Sequence, residues 1–431
     1  MSRHHVSTPI GRDRHGEALN PLAAEGGISM TDTGTAAALA ENFDFSDPRV
    51  RMDPPAVWAE LHKGPPRWSD AYGGHWVVSR YDDLKEVLAN PAVFCSVHGT
   101  NLPPNGFPYP LPPNQVDPPE HAQWRKLTAP FFTSPAVKRL EASIRSVTRE
   151  LLAKVLPKGH CDLAGDVAQQ IPAYVIADMM GFPREDAPWF AHISDHLLET
   201  AERELADENA AAGAELVEYL TKHLESRREH PQNDLLTELV NGSIDGRPLT
   251  FEEMLGVAFF FLIAGHETTV GGMTFLLWRL GLNPDQRQRL IDDHSLIPKA
   301  IEESLRIDSP VLHLARTVTQ DTVLNGAAMK AGDKVMVLYA AGNRDEQMFP
   351  DASTFDIDRP NAKRHLAFSS SIHLCQGAGL GRLEMRVLVE EVLAAIPDYR
   401  IDSEGVAFRS IQGVHSVKSL PVTFTPRPSR N

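Results

Sequence analysis

The segment Met254–Gly265, MLGVAFFFLIAG, runs for 12 residues without a polar side chain and is followed at once by His266, Glu267, Thr268 and Thr269. Crossing a bilayer takes about 20 apolar residues, so the run reads as a buried helix and not as a membrane span. Thr250 and Glu253, three residues apart just ahead of it, form a capping box that starts the helix. A helix apolar on all sides has to be covered on all sides. The rest of the chain must therefore supply a shell, and the polar quartet inside that shell is costly unless the site is functional or hydrated.

The flanking sequence offers the shell. Apolar residues recur at three and four spacing through AVKRLEASIRSVTRELLAKVL and NAAAGAELVEYLTKHLESRREH, and the pattern is helical from Glu120 to about Leu280. HWVVSRYDDLKEVLANPAVF reads as a short strand and then a helix. Further strand-like pieces begin only near Arg316, TVLNGAAMKAGDKVMVL among them, and LPVTFTP closes the chain as a strand. Between Asn101 and Pro119 the prolines are too dense for helix or central strand, leaving an extended loop that serves as a lid or as a plain connector. The expectation is one mainly α domain with minor β-sheet over residues 41–428, after a disordered segment at 1–40, with Met30 as an alternative start.

Charge and cysteine content narrow the function. A formal net charge of −15 makes phosphate backbones repulsive, which argues against nucleic acid as a partner. It leaves room for a local basic patch that docks an acidic protein. Three cysteines, Cys95, Cys161 and Cys375, show neither C-x-x-C spacing nor a disulfide framework, as expected in a reducing compartment. With no apolar run near the start to serve as a secretory signal, the expected location is cytoplasmic and soluble.

Three motifs carry chemistry. In Phe368–Arg382, FSSSIHLCQGAGLGR, a lone cysteine stands just before a helix, where orphan N–H groups and the positive dipole end favour an anion. Its pKa should be depressed and its thiolate a good metal ligand. Taken alone, a cysteine in such a place is more often inert packing. In AGHETT, Thr268 can bond back to the Ala264 carbonyl beside Gly265 and open the helix wall. Phe260, Ala264 and Thr268 share one face, with Phe261 and Gly265 beside them; the bland alternative is a packing kink. In EESLR, Glu303 and Arg306 can pair, as many solvated surface bridges do.

These motifs, with FDIDRP and HAQWR, stand in the order and spacing of the cytochrome P-450 family, which the chain resembles from about Phe43 to Pro426. The resemblance implies a haem b enclosed between the long central helix and the helix after the cysteine, with Cys375 as axial thiolate. It implies that Glu267 and Thr268 handle protons and that Gly265 and Phe368 lie against the cofactor. His121, Arg125, Arg316 and His373 would hold the propionates, and Glu303, Arg306 and Arg359 would form a buried structural set. A thiolate pushes electron density onto iron, and two propionates need cationic partners.

Two positions depart from the family's pattern. Glycine is usual at both Ser369 and Ser371, where serine is a common variant at 369 and unusual at 371, and Gln376 replaces an apolar residue. A positive φ at Ser371 would cost of order 1–3 kcal/mol. The Gln376 amide beside the sulfur would raise the iron potential, with backbone N–H donors at Gln376 and Gly377.

By the resemblance, Phe107, Tyr109, Phe260, Phe261, Ala264, Val311, Leu312 and Val414 wall the pocket. Their apolar character suits a small or medium hydrophobic substrate, terpenoid or aromatic. The implied activity is insertion of one oxygen atom from O2, with electrons from NAD(P)H through a reductase and a [2Fe–2S] ferredoxin. The ferredoxin would dock near Arg125, Lys126, Arg382 and Arg386. The rivals are a peroxide-using or rearranging haem-thiolate enzyme and a non-catalytic ligand-binding protein.

Overall fold

The computed structural model describes residues 33–51, 54–103, 109–202, 206–411 and 413–428. Phe107 and the stretch 1–32 lie outside the described residues. Thr33–Glu41 is helical, and its Ala36, Leu39 and Ala40 are buried. The folded part thus begins no later than Thr33, and residues 33–40 do not belong to a loose segment. Three small apolar residues on one side of a short helix are enough to dock it against Phe43 and Trp58.

The apolar run sits inside a far longer helix, Phe251–Leu282, of 32 residues. Its capping box forms as expected, with Thr250 Oγ1 accepting from the Glu253 N–H at 3.2 Å and Glu253 Oε2 accepting from the Thr250 N–H at 2.8 Å. By length and composition this helix could cross a bilayer, but it is the core helix of the fold. Its first half packs on helices Ile171–Met180 and Ala206–Glu229, its second half on Ile297–Ile307 and Ala378–Ala395, the last of which packs in turn on Ser134–Val155.

Two glycines let backbone come close to it. At Gly256 a Cβ would collide with the Pro110 carbonyl of the proline-rich loop, and at Gly271 with the His415 carbonyl. The second contact seats the hairpin of strands Ala407–Ile411 and Val414–Ser419 directly on the central helix.

To one side lies a five-stranded sheet in the order Arg67–Ser69, His75–Val78, Lys334–Val337, Leu314–Val318, Phe94–Cys95. It is antiparallel except where Lys334–Val337 runs parallel to His75–Val78. One face covers the amino-terminal helices and the other the cluster around Leu84, Leu88 and Phe349. The architecture is mainly helical with minor sheet, as expected. Short strands at His160–Asp162, Ser243–Ile244 and Arg247–Pro248 interrupt the region whose periodicity reads as helix. The first of these owes its form to a distant partner, Pro421–Thr423, which local pattern does not contain.

Candidate active site

The cysteine loop folds back on itself before the helix Ala378–Ala395. The Cys375 N–H donates to the Phe368 carbonyl at 2.8 Å, and a short turn over Ser371–His373 brings the chain round. That path needs left-handed backbone twice, with φ of 59° at both Ser369 and Ser371. Serine in that region carries a strain of about 1–3 kcal/mol, so both positions where glycine is usual, 369 and 371, are left-handed slots.

Cys375 counts as exposed, yet protein closes round its sulfur densely enough that burial pushes the thiol pKa up. Backbone N–H groups of Gly377 and Ala378, with Arg125 and Arg382, pull the other way without winning. The expected depressed pKa is therefore corrected: in the protein alone desolvation outweighs the helix start. The donors are Gly377 and Ala378, not Gln376 and Gly377. The Gln376 side chain also departs from expectation. Its Nε2 donates to the Arg125 carbonyl at 3.3 Å and its Oε1 accepts from Thr128 Oγ1 at 3.0 Å. Both ends of the amide are engaged by helix Glu120–Thr128, and its described bonds do not include one to the sulfur.

Beside the cysteine, four groups able to carry positive charge are brought together. The His121 and His373 rings lie 4.5 Å apart edge to face, and Arg125 Nη1 donates to the Leu374 carbonyl at 2.7 Å. Arg316, 2% exposed, bonds its own neighbour's carbonyl, Ala315, at 2.7 Å. Burial, then Arg316, His121 and Arg125, lower the His373 pKa to about 3. His121 Nε2 is buried without a hydrogen-bond partner among the described residues. Asp117, 4.0 Å from His373, is the nearby carboxylate, and it already accepts from the Ser96 and Val97 N–H groups. Two arginine charges without a carboxylate of their own, beside a buried imidazole nitrogen left without a partner among the described residues, call for anions, and two propionates beside a thiolate meet that need. The residues present fit a haem.

Across from the loop, the middle of the central helix is half-buried at Phe259, Phe260, Ile263, Ala264, Gly265, Thr268 and Thr269. Thr268 Oγ1 donates to the Ala264 carbonyl at 2.7 Å, as the spacing predicts. Glu267 is 5% exposed, and its Oε1 has no hydrogen-bond partner among the described residues. Burial raises its pKa to about 7, against the lowering pull of Arg409. His266 is held by the Gln169 carbonyl 3.1 Å from Nε2, and burial lowers its pKa to about 4, so the ring is neutral.

The EESLR pair is no surface bridge. Glu303 and Arg306 are both 0% exposed and joined by two bonds of 2.8 Å, while Arg359 Nε reaches Glu303 Oε1 at 3.0 Å. Arg306 and Arg359 give their remaining donors to carbonyls of Asn343, Ala352, Thr354, Pro350 and Asp351. The set pins the meander ahead of the cysteine loop to helix Ile297–Ile307.

The expected pocket wall is brought together in part. Val311 bridges Val414, and Tyr109, Phe260 and Ala264 keep open surface. Phe261 is 7% exposed and stacks on Phe132. Leu312 is 0% exposed, in the cluster of Phe43, Trp58 and Met336, which takes it out of the lining.

The basic patch is also smaller than expected. Arg382 is bidentate to Glu302 at 2.6 and 2.9 Å, and Arg386 is paired with Glu141 and Glu390. Lys126 is exposed.

Arg409 and Asp195, beside Glu267, were not visible in the sequence. Neither belongs to a motif, and they lie 214 residues apart in the chain. Among the described residues no His/Cys/Asp/Glu group could hold a further metal ion.

The family profile of cytochrome P-450 matches residues 173–395. A methyl-branched lipid omega-hydroxylase of Mycobacterium tuberculosis is 34% identical over 366 residues, covering 82% of this chain and 85% of the relative. A vitamin D(3) 25-hydroxylase of Pseudonocardia autotrophica is 34% identical over 93% of this chain and 100% of its own. The solved cytochrome P-450 from Chondromyces apiculatus superimposes with a TM-score of 0.80 at 32% identity, covering 90% of this chain and 100% of that one. The chain belongs to the cytochrome P-450 family. It is a haem b enzyme with a cysteine thiolate ligand, a monooxygenase that acts on hydrophobic substrates with O2 and redox partners.

Proposed function

We propose that Cys375 is the axial thiolate, that Glu267 and Thr268 handle protons, and that His121, Arg125, Arg316 and His373 hold the propionates. The observation that carries this reading is the half-open stripe of the central helix. Its Thr268 hydroxyl is folded onto the Ala264 carbonyl, next to a buried carboxyl whose Oε1 is unbonded. When bound, the haem supplies the iron at which dioxygen is activated.

The rest is the work of the chain. The Gly377 and Ala378 N–H groups steady the sulfur. Because the Thr268 hydroxyl donates to Ala264, its lone pairs are free to accept a hydrogen bond, while Glu267, poised near neutrality, can hold or release a proton. Phe260, Ala264, Val311 and Val414 present apolar surface that keeps bulk water from the site. Gly265 and Phe368 leave the cofactor room. Glu303, Arg306 and Arg359 hold the loop in place and take no part in proton traffic.

The substrate is a hydrophobic compound of terpenoid, aromatic or lipid type. Support comes from the apolar wall and from relatives named for methyl-branched lipids and vitamin D(3). Electrons come from NAD(P)H through a reductase and a [2Fe–2S] ferredoxin. Lys126 is the exposed cation at a docking face on which Arg382 and Arg386 are already committed to carboxylates. The enzyme works as a soluble cytoplasmic protein.

The test has two parts. The reduced, carbon-monoxide-bound spectrum should show the thiolate-type Soret band, and Cys375→Ala should lose it. Glu267→Gln should keep that band while product formed per NAD(P)H falls about 10–100-fold. Unchanged coupling in Glu267→Gln would sink the proton-handling role and favour a peroxide-using enzyme.

A further inference from the structure

Glu267 has neighbours that neither its own helix nor the cysteine loop supplies. Arg409, on strand Ala407–Ile411, places Nη1 3.9 Å from Glu267 Oε1 and 2.5 Å from Asp195 Oδ1. The guanidinium is buried, and its Nε and Nη2 have no hydrogen-bond partner among the described residues. Asp195, on helix Ala187–Glu202, is 33% exposed. One cation thus stands between two carboxylates, one inner and one outer, and hydrogen-bonds only the outer. Buried arginine with two idle nitrogens is an uncommon arrangement, because each unpaired donor costs desolvation energy. Its persistence beside an acid with an unbonded oxygen calls for a reason.

An arginine stays charged at any working pH, so it cannot itself pass a proton. It can set how tightly a neighbouring acid holds one. A guanidinium that closes on Glu267 favours the carboxylate, and one that is drawn away leaves burial to favour the acid form. Arg409 and Asp195 are the two charges that act on Glu267, with opposite signs. The third polar neighbour is His266, with Nδ1 3.7 Å from Glu267 Oε1; it is neutral and anchored through its other nitrogen.

We infer that Arg409 and Asp195 are positioning residues for Glu267. Asp195 holds the guanidinium off the buried acid so that Glu267 stays free to take up and release a proton. Loss of the Asp195–Arg409 bond lets Arg409 close on Glu267 and lock it as a carboxylate. The same bond ties helix Ala187–Glu202 to the hairpin that carries Val414, so a movement of either element changes which acid Arg409 serves. This inference rests on Glu267 being the proton-handling acid.

The experiment follows the Glu267 titration in the haem-loaded enzyme by infrared difference spectroscopy. The protonated-carboxyl band is identified by its loss in Glu267→Gln, and coupling is measured against pH in parallel. Asp195→Asn should move the Glu267 midpoint down by about one pH unit or more and lower product per electron at neutral pH. Arg409→Gln should move the midpoint up, and Arg409→Lys, which keeps the charge, should restore it toward wild type. Shifts of the same sign in Asp195→Asn and Arg409→Gln, or no shift in either, would overturn the inference. If Arg409→Gln fails to hold haem, Asp195→Asn, at a partly exposed position, and Arg409→Lys decide the matter. Uncoupling in Glu267→Gln with unmoved midpoints in the other variants defeats this inference alone. Normal coupling in Glu267→Gln defeats the parent reading and this one with it.

Discussion

Two buried glutamates in this chain have been treated in opposite ways. Glu303 is 0% exposed and bonds Arg306 twice, Arg359 once and the Asp356 N–H once. Glu267 is 5% exposed, and its nearest cation stands 3.9 Å away with its best bond given to Asp195. A carboxylate saturated with fixed donors cannot change its protonation without breaking the structure around it. One left partly unbonded in the same low-dielectric interior can change at modest cost. The first arrangement holds a fold together; the second is worth keeping only where a proton has to move.

The contrast can be broken most forcefully at Glu303. Glu303→Gln leaves two buried arginines without their counter-charge, and unfolding by denaturant should show a loss of about 3–5 kcal/mol together with poor haem retention. A loss under about 1 kcal/mol would mean that the set is dispensable.

At Glu267 the expected effect is smaller and depends on pH. Its folded pKa, raised to about 7 by burial, lies above the ordinary carboxyl value. The stability contribution of the acid form is therefore fully present below about pH 4.5 and fades as pH climbs through 7. Wild type should lose about 1–3 kcal/mol relative to Glu267→Gln between about pH 5 and 8. Parallel stability curves would show that Glu267 is already ionised in the folded enzyme.

Glu302 is intermediate and sharpens the scale. It is bidentate to Arg382 and 3.3 Å from His365, and although burial opposes it, Arg382 and His365 hold its pKa at about 2. Its contribution is present above the ordinary carboxyl pKa and is lost as pH falls toward 2. Arg382 is 37% exposed, so Arg382→Ala should cost only about 1 kcal/mol at neutral pH, with the difference from wild type vanishing in acid.

What the sequence revealed of this followed the reach of each interaction. The capping box at Thr250, the Thr268–Ala264 bond and the Glu303–Arg306 pair span three or four residues, and helix geometry alone settles them. The positive φ at Ser371 was legible because only one residue type fits such a slot without strain. Where tertiary contacts decide, local pattern failed. Gln376 turns toward Thr128, Leu312 turns into the amino-terminal cluster, and the Cys375 thiol responds to the mass of protein around it more than to the helix start behind it. Arg409 and Asp195 are the extreme case, since their meaning exists only once the hairpin has been laid against the central helix.

That placement rests on Gly271. A single missing methyl group there allows a strand to ride on the helix at backbone distance, with the His415 carbonyl in the space a side chain would fill. The hairpin and the middle of the helix therefore share one frame of reference, and the gap between the inner acid and its cation is calibrated by an atom that is not there. Any residue bulkier than glycine at 271 would act as a spacer, retuning from several residues away a proton site that it never touches.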